Sequence, residues 1–360
     1  MRVGILTFHR AHNYGAVLQC YALQQILRAK GHEVRIIDYR QPWIEEFYKV
    51  YSTDMIRKCK GAAELLSYLK KTTKKFLLAP LKASHFKSFR LNYLSVTEPV
   101  SGCSIPQEFD AYVIGSDQLW SLHCVGGEYD AVYTGCFDRP DKALLVGYAI
   151  SADLASVEKS VHFLTGWVSR FDSLSFRESR IADKVHEITG RNVGTCVDPT
   201  LLTDSSMWSD VIDHKWKDRN FVLVYEVRWK KENKGALRRK AAELARSFGD
   251  GCQVLDLSSG KYSVSDFVSM FRYARYVVTT SFHGTVFSLL FERPFYVFPL
   301  WNGYDLRYME LLHSVGAADR IMAYDRPLAA SDMDFSSIRV RMDVLRASSS
   351  AFLDNSLEQE

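Results

Sequence analysis

The sequence lacks the features that mark membrane-spanning, secreted or zinc-binding chains. No apolar run approaches the roughly 18 residues that a membrane-spanning helix requires, and His9 and Arg10 interrupt the apolar N-terminal stretch before it reaches signal-peptide length. The seven cysteines are scattered and none forms a Cys-x-x-Cys pair, so neither a zinc ribbon nor a thioredoxin-like site is indicated. No cluster has metal-ligand spacing either. We therefore expect a cytoplasmic protein that needs no metal and no cofactor.

The composition is that of an ordinary globular protein with two domains. The chain has 360 residues, of which 47% are hydrophobic and 24% charged, and a domain takes about 150 residues. Segments typical of strands and helices alternate along it, which predicts an α/β fold with parallel sheets. We predict an N-terminal α/β domain over residues 1–203, a C-terminal Rossmann-like domain over 204–335, and a C-terminal helix and polar tail over 336–360.

A basic helical insertion is predicted at about residues 42–99, as two helices broken near Pro80. Residues Arg57 to Arg90 include ten Lys or Arg residues and a single acidic residue, Glu64. This segment therefore has a net charge of +9 and the rest of the chain −5. Such a segment favours an anionic partner: a membrane surface, a lipid diphosphate or nucleic acid. Its aromatic residues are not interleaved as a stacking platform, which disfavours nucleic acid. The alternative is a solvated helical face.

Two loops of the first predicted domain follow strands and carry candidate binding residues. The loop Phe8–Ala16 contains one glycine, which disfavours a Gly-x-Gly-x-x-Gly dinucleotide site, and it leads into a helix whose N-terminus suits an anion or a sugar hydroxyl. Asn13 and Tyr14 are candidates there, although Asn13 is equally explained as a helix cap. The loop Ile114–Trp120 offers Asp117 and Gln118 as binding or basic groups, with a turn-capping role for Asp117 as the alternative.

An arginine and a histidine follow later strands. Arg177 suits bidentate binding of a carboxylate or phosphate, and a salt bridge to the adjacent Glu178 is its alternative. His283 stands where a strand passes directly into a helix, which favours a general acid or base. Around it, Gly284 is expected to let a ligand approach the backbone, beside the hydroxyls of Ser281 and Thr285.

A further cation lies at the start of the next predicted helix. Arg307 follows Tyr304 and Asp305 there, and is either a second cation of the same site or a surface charge.

Taken together, these motifs resemble the polysaccharide pyruvyl transferase family. The resemblance runs from Val3 to about Arg320 and rests on the order of five segments: Asn13–Leu23, Ile114–Trp120, Ser175–Glu178, Asp198–Thr200 and Ser281–Gly284. It implies two Rossmann-like domains that face each other across a cleft, similar to the GT-B glycosyltransferases. It also implies transfer of a pyruvyl group from phosphoenolpyruvate onto two hydroxyls of one sugar, with release of phosphate.

The resemblance also suggests roles for the candidate residues. His283 carries over as the catalytic histidine, and Arg177 and Arg307 as donor-binding cations, with Ser281, Gly284 and Thr285 beside them. Some members have an arginine where this chain has Ser281, so the resemblance does not settle how the donor phosphate is held.

The first domain is expected to serve the acceptor. Asp117 is the candidate base, and Asn13, Tyr14 and Gln118 are the candidate acceptor-binding residues. Acceptors of surface-polysaccharide assembly are often carried on a lipid diphosphate. The basic segment Arg57–Arg90 is then expected to contact the inner face of the membrane peripherally.

Two other functions are compatible with the sequence. One is a GT-B glycosyltransferase with a sugar-nucleotide donor, in which Glu292 or Asp305 would bind the ribose. The other is a noncatalytic module that binds sugars or anionic lipid.

Overall fold

The computed structural model describes residues 1–49, 61–227, 233, 235–301 and 305–358. Eleven strands lie in these ranges: β1 Arg2–Leu6, β2 Glu33–Tyr39, β3 Val96–Val100, β4 Ala111–Asp117, β5 Leu144–Ile150, β6 Ser173–Phe176, β7 Gly194–Thr195, β8 Phe221–Tyr225, β9 Gln253–Asp256, β10 Tyr276–Thr279 and β11 Phe295–Val297. The α-helices described are α1 Tyr14–Ala29, α2 Pro42–Phe47, α3 Ala62–Tyr93, α4 Leu154–Lys159, α5 Val161–Val168, α6 Ser179–Thr189, α7 Pro199–Leu202, α8 Ala236–Ser247, α9 Val264–Tyr273, α10 Phe282–Leu290, α11 Leu306–Ser314 and α12 Phe335–Leu357. Short 3₁₀ turns connect several of them.

The first compact unit contains Met1–Phe176 and Arg180–Gly194. Its seven strands form one sheet in the order β3-β2-β1-β4-β5-β6-β7, and the pairings from β3 to β6 are parallel. The chain moves outward from β1 to β2 and β3, then returns to β4 on the other side of β1. In a doubly wound sheet this reversal is where ligands bind, outside the carboxyl ends of the strands. The loops after β1 and β4 therefore lie at the favoured ligand position of this unit.

The second compact unit contains Arg177–Ser179 and Thr195–Glu360. Its four strands are parallel, in the order β11-β10-β8-β9, so the reversal falls between β8 and β10. The strands β8 and β10 are buried along their whole length, as expected for a parallel sheet covered by helices on both faces. Two parallel sheets with crossover helices confirm the predicted α/β class.

The boundary between the units lies between Gly194 and Thr195, whereas the sequence placed it after residue 203. The reason is that the C-terminal helix α12 holds the intervening segment. The Arg346 guanidinium donates to the carbonyls of Leu201 and Thr203, at 2.8 and 2.9 Å, and the Ser349 hydroxyl accepts from the Val197 N–H at 3.0 Å. The helix predicted for residues 336–360 is thus an integral part of the second unit.

The predicted break near Pro80 is wrong, because α3 continues through Pro80 from Ala62 to Tyr93. A proline removes one backbone hydrogen bond, and a long helix that is anchored elsewhere can absorb that loss. The anchor is the C-terminal part of α3, where Phe86 and Phe89 are fully or almost fully buried. Phe89 packs edge-to-face on Tyr21 of α1 at 5.9 Å between ring centroids.

Much of the basic segment lies outside the described residues. Arg57, Lys58 and Lys60 belong to the undescribed stretch, as do the side chains of Lys70, Lys71, Lys74 and Lys75. The expected membrane contact through Arg57–Arg90 therefore stays a prediction. Within the ranges that the structure describes, no helix is both long and apolar enough to cross a bilayer.

Candidate functional site

Three predicted or motif residues meet in the second unit. Arg177 directly follows β6, Asp198 precedes α7, and His283 is the second residue of α10, immediately after β10. The Arg177 Nη1 donates to Asp198 Oδ2 at 2.6 Å, and His283 Nε2 lies 3.5 Å from the same oxygen. One carboxylate oxygen is therefore shared by a guanidinium and an imidazole.

The Asp198 carboxylate is fully buried and ionised. Burial by itself raises the pKa of Asp198, but attraction to His283 and Arg177 and a hydrogen bond from Thr200 outweigh burial and hold the pKa well below its usual range. The other oxygen, Oδ1, caps α7 by accepting from the Thr200 N–H at 3.0 Å and from its hydroxyl at 2.6 Å. A carboxylate held this way can orient the His283 ring.

Arg177 is bound by carboxylates, as the alternative interpretation of this residue expected. Besides Asp198, its Nε lies 3.5 Å from Glu178 Oε1. Its guanidinium also lies over the Phe282 ring, 4.6 Å from the centroid, in a cation–π contact. Arg177 thus holds Asp198 in place beside His283.

A cavity of about 130 Å³ adjoins this cluster within the second unit. Arg177, Asp198, Phe282, Arg307 and Glu310 line it, together with several serines and leucines. Arg307 therefore lines the same cavity as Arg177. Tyr304, which precedes it in the sequence motif, lies outside the described residues.

The residues around His283 build the turn between β10 and α10. The Ser281 hydroxyl caps α10 by accepting from the Gly284 N–H at 3.3 Å, and the fully buried Thr285 hydroxyl donates to the Ser281 carbonyl at 3.1 Å. A Cβ atom on Gly284 would lie 2.3 Å from the Thr279 Oγ1. Gly284 thus allows α10 to pack closely on β10, which is a different reason for glycine from the ligand approach that we expected.

In the first unit, Asn13 and Tyr14 begin α1. The exposed Asn13 caps the helix, accepting from the Gly15 N–H at 2.9 Å, as its alternative interpretation expected. Tyr14 is buried, and its ring lies 5.3 Å from that of Phe86 on α3.

Asp117 is the last residue of β4, the strand that pairs with β1, and Gln118 follows it. Asp117 has a φ of 92°, which is uncommon for a residue with a side chain and is often found at functional positions. Its Oδ1 accepts from the Gln118 N–H at 2.8 Å, and the Gln118 side chain is almost fully buried. Because β1 and β4 are neighbours, the loops of Asn13 and Asp117 share the carboxyl edge where the sheet order reverses.

The carboxylates suggested for ribose binding are engaged by other groups. Asp305 accepts from the Leu300 N–H at 3.0 Å through Oδ2 and from the Tyr308 hydroxyl at 2.6 Å through Oδ1. Glu292 pairs with Arg339 at 2.5 Å. This arrangement gives the sugar-nucleotide alternative no support from those two residues.

Sequence reasoning overlooked two acidic members of the site. Asp198 was part of a quoted motif but received no role, although the Asp-Pro-Thr order is the signature of a helix cap that fixes a carboxylate. Glu310 had no sequence signal. It lies one turn after Arg307 and accepts from the Ser179 N–H at 3.3 Å.

Within the described ranges, no three His, Cys, Asp or Glu side chains converge as metal ligands would. The expectation that the protein works without a metal stays a prediction.

Comparison with known proteins identifies the family. A model of the polysaccharide pyruvyl transferase family matches residues 13–302, and no curated protein matches the chain. Solved structures with some similarity include a putative UDP-N-acetylglucosamine 2-epimerase from Listeria monocytogenes (10% identity, 99% of this chain and 90% of that one, TM-score 0.43). Others are a UDP-GlcNAc 2-epimerase from Neisseria meningitidis (7%, 100% and 95%, 0.43) and an E. coli heptosyltransferase solved with ADP (12%, 96% and 100%, 0.39). With TM-scores this low, those three structures carry no conclusion about activity.

The family match covers most of the chain and includes Asp117, Arg177, Asp198 and His283, so the protein belongs to the polysaccharide pyruvyl transferase family.

Proposed function

We propose that this transferase moves the pyruvyl group of phosphoenolpyruvate onto two hydroxyls of one sugar in a surface polysaccharide or its lipid-linked precursor. The observation that carries the proposal is the pairing of His283 with the buried Asp198 carboxylate beside a cavity that Arg307 lines. Family membership supplies the reaction class.

In the proposed reaction, His283 acts as the general acid. Its proton goes to the methylene carbon of the donor, which becomes a methyl group, and the adjacent carbon gains cationic character. One sugar oxygen bonds to that carbon and loses its proton to a base, the proposed role of Asp117. The bond from the same carbon to the phosphate oxygen then breaks, phosphate leaves with the electron pair, and the second hydroxyl closes the ketal ring. Of the two hydroxyl protons, one replaces the proton given to the methyl group and the other leaves with phosphate.

The two arginines on the cavity wall are proposed to have different roles. Because Asp198 and Glu178 already bind Arg177, we assign it to positioning Asp198 and His283. Arg307 is then the side-chain cation proposed to meet the donor, near His283 at the N-terminus of α10. Glu310 lies on the same wall and opposes an anion, so donor binding is expected to depend strongly on Arg307.

The test is an assay with phosphoenolpyruvate and a panel of free, nucleotide-linked and lipid-linked sugars. We expect phosphate release together with a pyruvate ketal on one product. His283→Gln should lower the rate by about a hundredfold or more, the usual contribution of general acid–base catalysis. His313→Gln, an exposed histidine of the same unit, should keep the wild-type rate. Sugar transfer from a nucleotide donor without use of phosphoenolpyruvate would contradict the proposal.

A further inference from the structure

A cluster of rings and cations surrounds His12, in the loop between β1 and α1. The His12 ring lies 4.8 Å from the ring of Tyr48 and stacks on Phe86 of α3 at 5.5 Å between centroids. Arg10 and Arg90 complete the group, which we call the His12 cluster. It lies at the carboxyl edge of β1, where the order of the first sheet reverses.

The positive charges of this cluster are not all balanced. Arg10 is paired with Glu45 and also donates to Asp38 at 3.2 Å. Arg90 is different: among the described residues, its Nη1 is buried and meets no hydrogen-bond acceptor. Burial, followed by repulsion from Arg10, lowers the pKa of Arg90, while Asp38 and Glu45 oppose that lowering.

Burial and the same positive charges lower the pKa of His12. Burial lowers the pKa of His12 to about 4, with further lowering by Arg90, Lys82 and Arg10, and Glu45 is the carboxylate that opposes it. His12 is therefore neutral at physiological pH.

A buried guanidinium nitrogen without an acceptor destabilises a folded chain unless a ligand supplies that acceptor. Aromatic rings beside arginines, at the position where a doubly wound sheet binds ligands, form a suitable site for a phosphate group. Asp117 ends β4, the strand that pairs with β1, so it lies at the same carboxyl edge of the sheet as the His12 loop. The His12 cluster and the proposed acceptor base thus share one edge of the first sheet.

We infer that the His12 cluster is a phosphate subsite, in which Arg90 binds the diphosphate that links the acceptor sugar to its carrier. This inference rests on the proposed function for its acceptor, but phosphate binding can be measured without turnover.

The first test is calorimetric titration of the full chain with inorganic pyrophosphate. We expect binding that Arg90→Met weakens about tenfold or more, because one charge-assisted contact is lost. Lys87→Met, an exposed lysine on the same helix, should change the dissociation constant less than about twofold. Equal affinity of wild type and Arg90→Met, or no binding by the wild type, would overturn the inference.

Two further measurements separate a binding role from a structural one. Removing an unpaired buried charge should leave the melting temperature of Arg90→Met unchanged or higher, whereas a structural Arg90 would give a lower one. NMR titration should show that pyrophosphate raises the pKa of His12 by about one unit or more, because a nearby anion favours the imidazolium. An unchanged pKa would count against the subsite.

Turnover measured with acceptor sugars on different carriers shows which carrier's phosphate the subsite binds. We expect Arg90→Met to lower kcat/KM for a sugar on a prenyl diphosphate and to leave the rate with the matching methyl glycoside unchanged. Loss with a nucleoside diphosphate sugar instead would assign the subsite to a nucleotide carrier. If pyrophosphate binds but phosphoenolpyruvate is never consumed, the subsite stands and the proposed reaction fails. If turnover occurs and Arg90→Met changes no acceptor, the reaction stands and the subsite fails.

Discussion

Asp198 is the residue on which the second unit's site depends. Its Oδ2 contacts both Arg177 and His283, while its Oδ1 caps α7, so three elements are joined through one side chain. Breaking a buried ion pair leaves an uncompensated charge, which is strongly unfavourable. In this site the same contacts orient the histidine, so stability and activity are coupled at one residue.

Replacing the Asp198 carboxylate should therefore lower both the stability and the activity of the protein. We expect Asp198→Asn to lower the unfolding free energy by about 3 kcal/mol, since it leaves Arg177 without its main counter-charge. Phosphate release should fall by about a hundredfold or more as His283 loses its partner. Urea unfolding and the phosphoenolpyruvate assay measure the two effects. The control is Asp204→Asn, another turn cap but a surface one, which should cost about 1 kcal/mol or less and keep the rate. A wild-type rate in Asp198→Asn would remove the proposed role.

Asp38 should make the first unit sensitive to acid. Burial raises the pKa of Asp38, but hydrogen bonds and attraction from His9 and Arg10 outweigh burial and lower it to about 2. The unfolded-state pKa is about 3.9, so this carboxylate stabilises the fold above that pH, and the stabilisation is lost as the pH falls from about 4 to 2. The difference in unfolding free energy between wild type and Asp38→Asn should shrink by up to about 2 kcal/mol over that window. A pH-independent difference in urea unfolding would contradict this assignment.

At the scale of elements, close packing of loops on strands places the candidate groups. Gly115 has a φ of 129°, and a Cβ atom there would lie 2.0 Å from the Tyr148 carbonyl oxygen of β5. Two residues later, the backbone of Asp117 is held in place because its carbonyl accepts a hydrogen bond from the Ser151 N–H at 2.9 Å. Gly115 thus allows the end of β4 to approach β5 closely enough to set the backbone of Asp117.

A methyl group at Gly115 should be poorly tolerated. We expect Gly115→Ala to lower the unfolding free energy by about 3 kcal/mol or more, because the strained φ and the clash with backbone act together. Gly127→Ala is the matched control: its φ is 98°, but nothing lies within 4 Å of the added Cβ. It should cost only about 1 kcal/mol, the part due to φ. Equal losses in the two variants, measured by thermal or urea unfolding, would show that the contact with Tyr148 is unimportant.

At the scale of the whole molecule, the sequence predicted the alternation of strands and helices better than it predicted contacts. Buried apolar strands and helical spacing are local patterns, so two parallel sheets could be foreseen. The continuity of α3 through Pro80 could not, because it depends on distant packing by Phe86 and Phe89.

The same distinction holds for the sites. His283 was recognisable from a strand that passes directly into a helix, and the order of motifs pointed to the family. The pairing of Arg177 with Asp198 joins residues 21 positions apart, and His283 comes from a much later strand. Arg90 likewise meets the His12 cluster only through the docking of α3. Contacts between distant segments are set by the tertiary fold, so no local pattern in the sequence reveals them.

The most direct test of the central claim follows the donor's methylene carbon during turnover. The enzyme, phosphoenolpyruvate labelled with ¹³C at that carbon, and the acceptor found in the panel would be incubated in D₂O and the product examined by NMR. Protonation by a solvent-exchangeable acid predicts a ketal methyl group that carries one deuterium, formed in step with phosphate release and lost in His283→Gln. Release of phosphate with free pyruvate only, or a ketal formed equally fast by His283→Gln, would contradict the account.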